Sequence, residues 1–380
     1  MSLLSEWRRI QGCEKAELNK EERNKMLKNG TDKNDRNGTI DFLRAVFCII
    51  ILLFHISLDL YGKEWGAEEW KGLFRYGALG VEFFFITSGF FMAASVDQMP
   101  ERREDTIAQT WKFLQKKIKG ILPYHLIFNL VMWGITVLRG YSLQECIQRI
   151  SSFFFLPVVG FNNGEWMLGV EWYIGYMLFV MLLIFPLLYR YFSIVTEYLA
   201  PVGAVCLYGY ISVTYHRVMN SSFRMTESFA GILLGITVYT CAKYLKRVQG
   251  IRTKPIRVLI RIWPLISIVL FVLYTNSFVS TEVQPLLVLF LASGLAVTFA
   301  QEGIISRTGI LNCPFVYWLG RVSISVYLIQ NITRLTVKKL LDGRPVLFVF
   351  AAEFIVTVLC GIIAYGIIRK ITQTRVNDKK

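Results

Sequence analysis

The chain is patterned in long apolar runs, broken by short polar and often basic segments. Neither the strict alternation of a half-buried strand nor the narrow apolar stripe of a soluble helix is sustained. A run of about 20 mainly apolar residues is what an α-helix needs to cross a bilayer. Ten such runs begin near Ile40, Gly77, Gly120, Trp166, Glu197, Glu227, Ile262, Pro285, Val316 and Pro345. The second and ninth are the shortest or most polar. The pattern predicts an all-α, polytopic integral membrane protein with about ten transmembrane helices. No repeat of fixed period and no low-complexity linker stands out. One transmembrane domain over residues 36–370 is therefore expected, between a charged arm at 1–35 and a basic tail at 371–380.

Composition supports that class. The 380 residues are 54% hydrophobic and only 18% charged, against about 25% charged in soluble chains, and the mean hydropathy is +0.45. The net charge of +15 would suit nucleic acid in a soluble protein. Its distribution points elsewhere. With the N-terminus inside, segments 1–39, 97–119, 189–196, 243–261, 304–315 and 369–380 are cytoplasmic and hold 29 of the 42 lysines and arginines. The positive-inside rule then places both termini in the cytoplasm and makes a nucleic-acid partner unnecessary. The outer "KKLLDGRP" is a weak dissent. A multi-pass protein of the plasma membrane is expected, with membrane lipid as its surroundings. The seven cysteines show no CxxC and no nearby histidine at ligand spacing, so they read as structural, and no metal site or bound cofactor is expected.

Ionisable residues inside the runs carry the chemistry, because a central Asp or Arg costs at least about 2.5 kcal/mol. The first run, "RNGTIDFLRAVFCIIILLFH", holds Asp41, Arg44 and His55. Arg44 and His55 are eleven residues apart, so they share a helix face about 16 Å apart along the axis. Asp41, at i−3, can pair with Arg44; the bland reading of Arg44 is snorkelling to the inner interface. With the N-in orientation, Glu82 lies in the outer third of the second span and Ser88 near its middle. Glu171 lies about one and a half turns below the outer surface, and the ninth span carries Arg321 inside and Gln330 outside. The expectation is an outer group of His55, Glu82, Glu171 and Gln330. An inner group is expected from Arg44, Asp41 and Arg321, with Lys116, Lys117 and Lys119 on the adjoining loop. An imidazole near a carboxylate suits a general base for an acceptor hydroxyl. Inner guanidinium and ammonium groups suit a phosphorylated donor. Proton-coupled transporters bury the same residue types, so the residues alone leave enzyme and transporter open. His125 reads as a structural residue behind Pro123 in the first turn of the third span, and His216 as an exposed loop residue. The stretch 140–165 is amphipathic enough to lie in the membrane interface.

Five ordered motifs resemble the membrane acyltransferase 3 family. "DFLRAVFCIIILLFH" is similar to that family's first span, with an Arg, ten residues and a His. "GVEFFFITSGF" resembles its second, with Glu82 at the acidic position and Ser88-Gly89 matching. "FLQKKIKGILPY" resembles its basic stretch ending in I-L-P. "WMLGVEWYIGY" supplies Trp166, Leu168 and Glu171, and "LGRVSISVYLIQ" matches the late motif. The resemblance, over about 36–369, implies transfer of an acyl group, commonly acetyl, from cytoplasmic acyl-CoA as donor substrate. Acceptors would be hydroxyls of envelope glycans or glycolipids. It also implies that Arg44 and His55 are essential and that Glu171 is a family carboxylate. The family's late His is Gln330 here, which cannot titrate, and its inner arginines are Lys116, Lys117 and Lys119, which lack the bidentate fork. The chain ends soon after the last span, so a separate extracytoplasmic transferase or esterase partner is expected. A proton-coupled transporter or flippase of envelope precursors is the alternative, and an inactive relative acting as an assembly partner is a third reading.

Overall fold

A computed structural model describes residues 37–61, 73–99, 105–215, 223–248, 253–276 and 283–377. The arm at 1–35, His216 and residues 378–380 of the tail lie outside the described residues. Everything regular among the described residues is helical, and no strand occurs there. The helices are α1 Gly38–Tyr61, α2 Gly80–Asp97, α3 Thr106–Leu138, α4 Leu143–Arg149, α5 Trp172–Arg190, α6 Ala200–Tyr215, α7 Arg224–Arg247, α8 Lys254–Asn276, α9 Gln284–Phe299, α10 Ile304–Thr308, α11 Pro314–Leu340 and α12 Val346–Asn377. A π-helical turn, Val195–Leu199, leads into α6.

Nine of the described helices are long and apolar enough to cross a membrane. The ninth run of the sequence does form a 27-residue helix, α11, but is not among the nine. Arg321, Gln330, Asn331, Arg334, Lys338 and Lys339 dilute its apolar character. Three boundaries differ from the sequence reading, one of them α8, which begins at Lys254, eight residues before Ile262. α3 starts at Thr106, fourteen residues before Gly120, because Asp105 caps it by accepting from the Ala108 N–H at 2.9 Å and no breaker intervenes. Lys116, Lys117 and Lys119 therefore ride on a helix rather than a loop, and Pro123 sits in the helix interior rather than its first turn. The fourth run begins its helix only at Trp172; residues 166–171 form a turn before it, with Glu171 as the N-cap residue. The amphipathic stretch after α3 folds as α4, with a Ser142–Glu145 capping box, followed by three short 3₁₀ turns over 150–164.

Two hydrophobic clusters share α1, α2 and α7. One gathers α3, α5, α11 and α12; the other gathers α6, α8 and α9. Lipid gives apolar surfaces no reason to leave it, so helices associate through close packing. α2 and α7 do this with glycines. A Cβ on Gly89 would stand 2.1 Å from the Ile232 carbonyl oxygen, and one on Gly235 would stand 2.1 Å from that of Ile86. One turn up, a Cβ on Gly231 would fall 2.6 Å from the Phe85 Cβ. On the other flank, Gly361 of α12 receives Val326 of α11, whose Cγ2 lies 2.6 Å from the position of a Cβ.

Gly89→Ala is expected to lower the midpoint of thermal unfolding in detergent, at an overpacking cost of about 1–3 kcal/mol. Gly134→Ala, whose Cβ would meet nothing within 4 Å, should keep or raise it. Size-exclusion chromatography after graded heating reads both. Equal midpoints would show that the helices can move apart at no cost.

Candidate active site

The site is built on the seam between α1 and α11. Asp41, in the first turn of α1, is 2% exposed, and its Oδ1 accepts from Arg44 Nη1 at 3.2 Å. α11 meets it with Gly320, where a Cβ would lie 2.4 Å from Asp41 Oδ1. Arg44 is thus anchored on one side, while its guanidinium lies 5.6 Å over the Phe91 ring. It lines an open cavity of about 560 Å³, together with Arg321 of α11 and Arg369 of α12. Tyr124, Tyr173, Tyr327 and Tyr365 make much of the remaining wall. Lys117, one turn before the lining residue Gly120, lies within electrostatic range of Arg44.

A second cavity, of about 140 Å³, lies further along the same two helices. His55 of α1 lines it with Gln330 and Arg334 of α11, Glu353 of α12 and the backbone of Gly169–Val170. Gln330 donates from Nε2 to the Tyr327 carbonyl at 2.8 Å. Its Oε1 and the Oε2 of Glu353 are buried with no hydrogen-bond partner. Two unsatisfied acceptors beside an imidazole and a guanidinium suit a ligand that donates hydrogen bonds, such as a hydroxyl.

The two cavities are separated by the turn at 166–171 and by Tyr327. The Tyr327 hydroxyl donates to the Val170 carbonyl at 2.7 Å, and Asn331 Nδ2 donates to the Leu168 carbonyl at 2.9 Å. Trp166 wedges this turn against α5, where a Cβ on Gly175 would fall 2.1 Å from the indole ring. The fully buried Glu171 fixes it from behind. Its Oε1 accepts from the Leu168 N–H at 3.2 Å, and its Oε2 accepts from Asn129 Nδ2 at 2.6 Å. His125 Nδ1 stands 3.1 Å from the same Oε2, and His125 Nε2 faces the Ser152 carbonyl at 3.1 Å. Nε2 donates there, and Nδ1 also lies 3.2 Å from Asn129 Nδ2, which can donate to it.

The structure thus brings some of the sequence candidates together and separates others. Arg44 and Arg321 share the large cavity; His55 and Gln330 share the small one. Glu82 is in neither. It is buried against α7, with its Oε2 accepting from the Tyr208 hydroxyl at 2.5 Å. Glu171 belongs to His125 and Asn129 rather than to His55. Ser88 donates to Met177 Sδ at 3.1 Å, beside the Tyr173 hydroxyl, which donates to the same sulfur at 3.3 Å. Lys116 and Lys119 are exposed on α3, and none of the three lysines lines a cavity described above. Sequence reasoning missed Glu353, Arg334 and Arg369. A lone carboxylate in the last apolar run was the available signal for Glu353. His125 was set aside as structural; buried opposite a carboxylate, it is one half of the pair that holds the turn.

Helices of spanning length around two polar cavities define a multi-pass membrane protein whose chemistry lies between helices. Comparison with protein families matches residues 37–365, described as an acyltransferase domain, and the chain belongs to this acyltransferase 3 family. It is a membrane acyltransferase. Comparison with characterised proteins and with solved structures found no match.

Removing one member of a buried hydrogen-bonded cluster leaves its partners unsatisfied, at a cost of about 1–3 kcal/mol. Glu171→Ala and His125→Ala are each expected to destabilise the protein by that order in a detergent melt. The double variant should fall well short of the sum, because the two share one contact. Additive losses would mean that each residue has an independent role.

Proposed function

We propose that the protein moves an acyl group, acetyl in the simplest case, from cytoplasmic acyl-CoA to a hydroxyl of an extracytoplasmic or lipid-linked glycan. The reading places it in the plasma membrane with both termini inside. Residues 36–370 form the catalytic domain, between the arm at 1–35 and the tail at 371–380. One observation carries it: an arginine-lined cavity and a histidine-lined cavity are stacked along one helix pair. Arg44, held by Asp41, and Arg321 bind the donor's phosphates, with Lys116, Lys117 and Lys119 raising the positive potential of the approach. His55 accepts the proton of the acceptor hydroxyl. The oxygen attacks the thioester carbonyl and the C–S bond breaks; the departing CoA thiolate takes a proton from water on its own side, and His55 releases its proton on the acceptor side. Arg334 stabilises the oxyanion that forms on the way, and Glu353 and Gln330 orient the imidazole and the acceptor. The two-cavity arrangement fits direct transfer and an acyl relay equally. A separate extracytoplasmic partner completes delivery to the glycan.

The test is release of free CoA from acetyl-CoA by protein in nanodiscs, with envelope extract as acceptor. His55→Ala is expected to lower kcat by about 10²–10⁴, the span of general acid–base contributions. Arg44→Ala should act mainly through KM. Glycan precursor crossing the membrane without CoA release, and unaffected by either variant, would replace this reading with a transporter.

A further inference from the structure

We infer that Arg369, Tyr124 and Tyr365 form the subsite for the nucleotide end of the donor, an inference that rests on the acyl-CoA reading and extends it to Arg369 and Tyr365, which lie outside every motif discussed above. The large cavity contains three guanidinium groups, and they are not equivalent. Arg44 is tied to Asp41. Arg321 and Arg369 have no hydrogen-bond or ion-pair partner among the described residues, yet both line the same space. Both are exposed, so solvent screens their mutual repulsion, and their planar guanidinium forks are free to take phosphate oxygens two at a time.

The aromatic wall adds a second, independent requirement. The Tyr124 and Tyr365 rings have their centroids 6.4 Å apart and their planes within 8° of parallel, and both line the cavity beside Arg369. Parallel aromatic faces offer a stacking platform for a flat ring, and every nucleobase has such a face. Gly120 lies in the same wall, and a Cβ there would meet nothing within 4 Å. A phosphate ester or a phospholipid headgroup would use the arginines but has no flat ring for the aromatic wall. A carrier with a base and several phosphates uses both.

The placement also gives the donor a direction. Tyr365, Arg369 and Thr372 follow one another along α12 away from Gly361, where that helix touches α11. Tyr327, at the opposite end of the cavity, bonds to the turn that backs the His55 cavity. The nucleotide therefore sits at the Arg369 end, and the thin acyl-bearing arm runs towards Tyr327.

Titration of the full chain in nanodiscs with CoA, adenosine 3′,5′-bisphosphate and 4′-phosphopantetheine tests this. Arg369→Gln is expected to weaken CoA and the bisphosphate about tenfold, the size of one charge-assisted hydrogen bond. Tyr365→Leu should weaken the same two probes about tenfold and leave 4′-phosphopantetheine unchanged, and Tyr365→Phe should restore binding. Gly120→Leu, which fills open space, should abolish binding of CoA at an unaltered thermal midpoint. Wild-type binding of CoA that ignores both Arg369→Gln and Tyr365→Leu would overturn the subsite and leave the acyl-CoA reading standing. Failure of the folded wild type to bind CoA at all would overturn that reading and the subsite with it.

Discussion

Asp41 is a carboxylate buried at the start of a membrane helix, and a charge in that position must be compensated within reach. Compensation comes from Arg44, one turn along the same helix. The contact closes because position 320 has no side chain to stand in the way. From this one fit the rest follows. α1 and α11 run side by side, so the polar positions of one face those of the other at matching depths. Arg44 meets Arg321 in one cavity, and His55 meets Gln330 in the other. α12 packs on α11 through Gly361 and brings Glu353 and Arg369 to the same two levels.

The buried carboxylates divide by what they face rather than by how deeply they lie. Glu82 accepts a hydrogen bond from Tyr208, and Glu171 accepts from Asn129 and the Leu168 N–H beside His125. These groups join helices and hold a turn, although the Oε1 of Glu82 is buried without a hydrogen-bond partner. Glu353 is just as buried but lines a cavity with one oxygen unsatisfied. Of the three, Glu353 alone lines one of the two cavities, where a ligand can reach its open valence.

Much of this was legible in the sequence. Run length predicted helices of spanning size, and the eleven-residue spacing put Arg44 and His55 on one face. What the sequence withheld was azimuth. Span orientation gives depth, so His55, Glu82, Glu171 and Gln330 read as one group, although they face three different surroundings. The partner of Glu171 lies on α3, at His125 and Asn129, and no local spacing announces a contact between residues so far apart in the chain. Lys116 to Lys119 read as a loop because a basic stretch before an apolar run resembles a cytoplasmic connection. The cap at Asp105 instead extends the helix through them. Glu353 belongs to no motif, and only the cavity gives it a role. Arg369 read as the first residue of the last cytoplasmic segment, a description that conceals the cavity it borders.

The wall between the cavities has an electrical meaning. A charge crossing a membrane potential of 100 mV gains or loses about 2.3 kcal/mol. Where polar cavities reach in from both faces, the voltage falls mainly across whatever thin layer separates them. Here that layer is Tyr327, hydrogen-bonded to the carbonyl of Val170. An acyl group is neutral and can pass from one side of such a layer to the other without feeling the field. A proton cannot. On the acyl-transfer reading proposed above, the partition lets the two sides exchange a chemical group while each keeps its own proton pool.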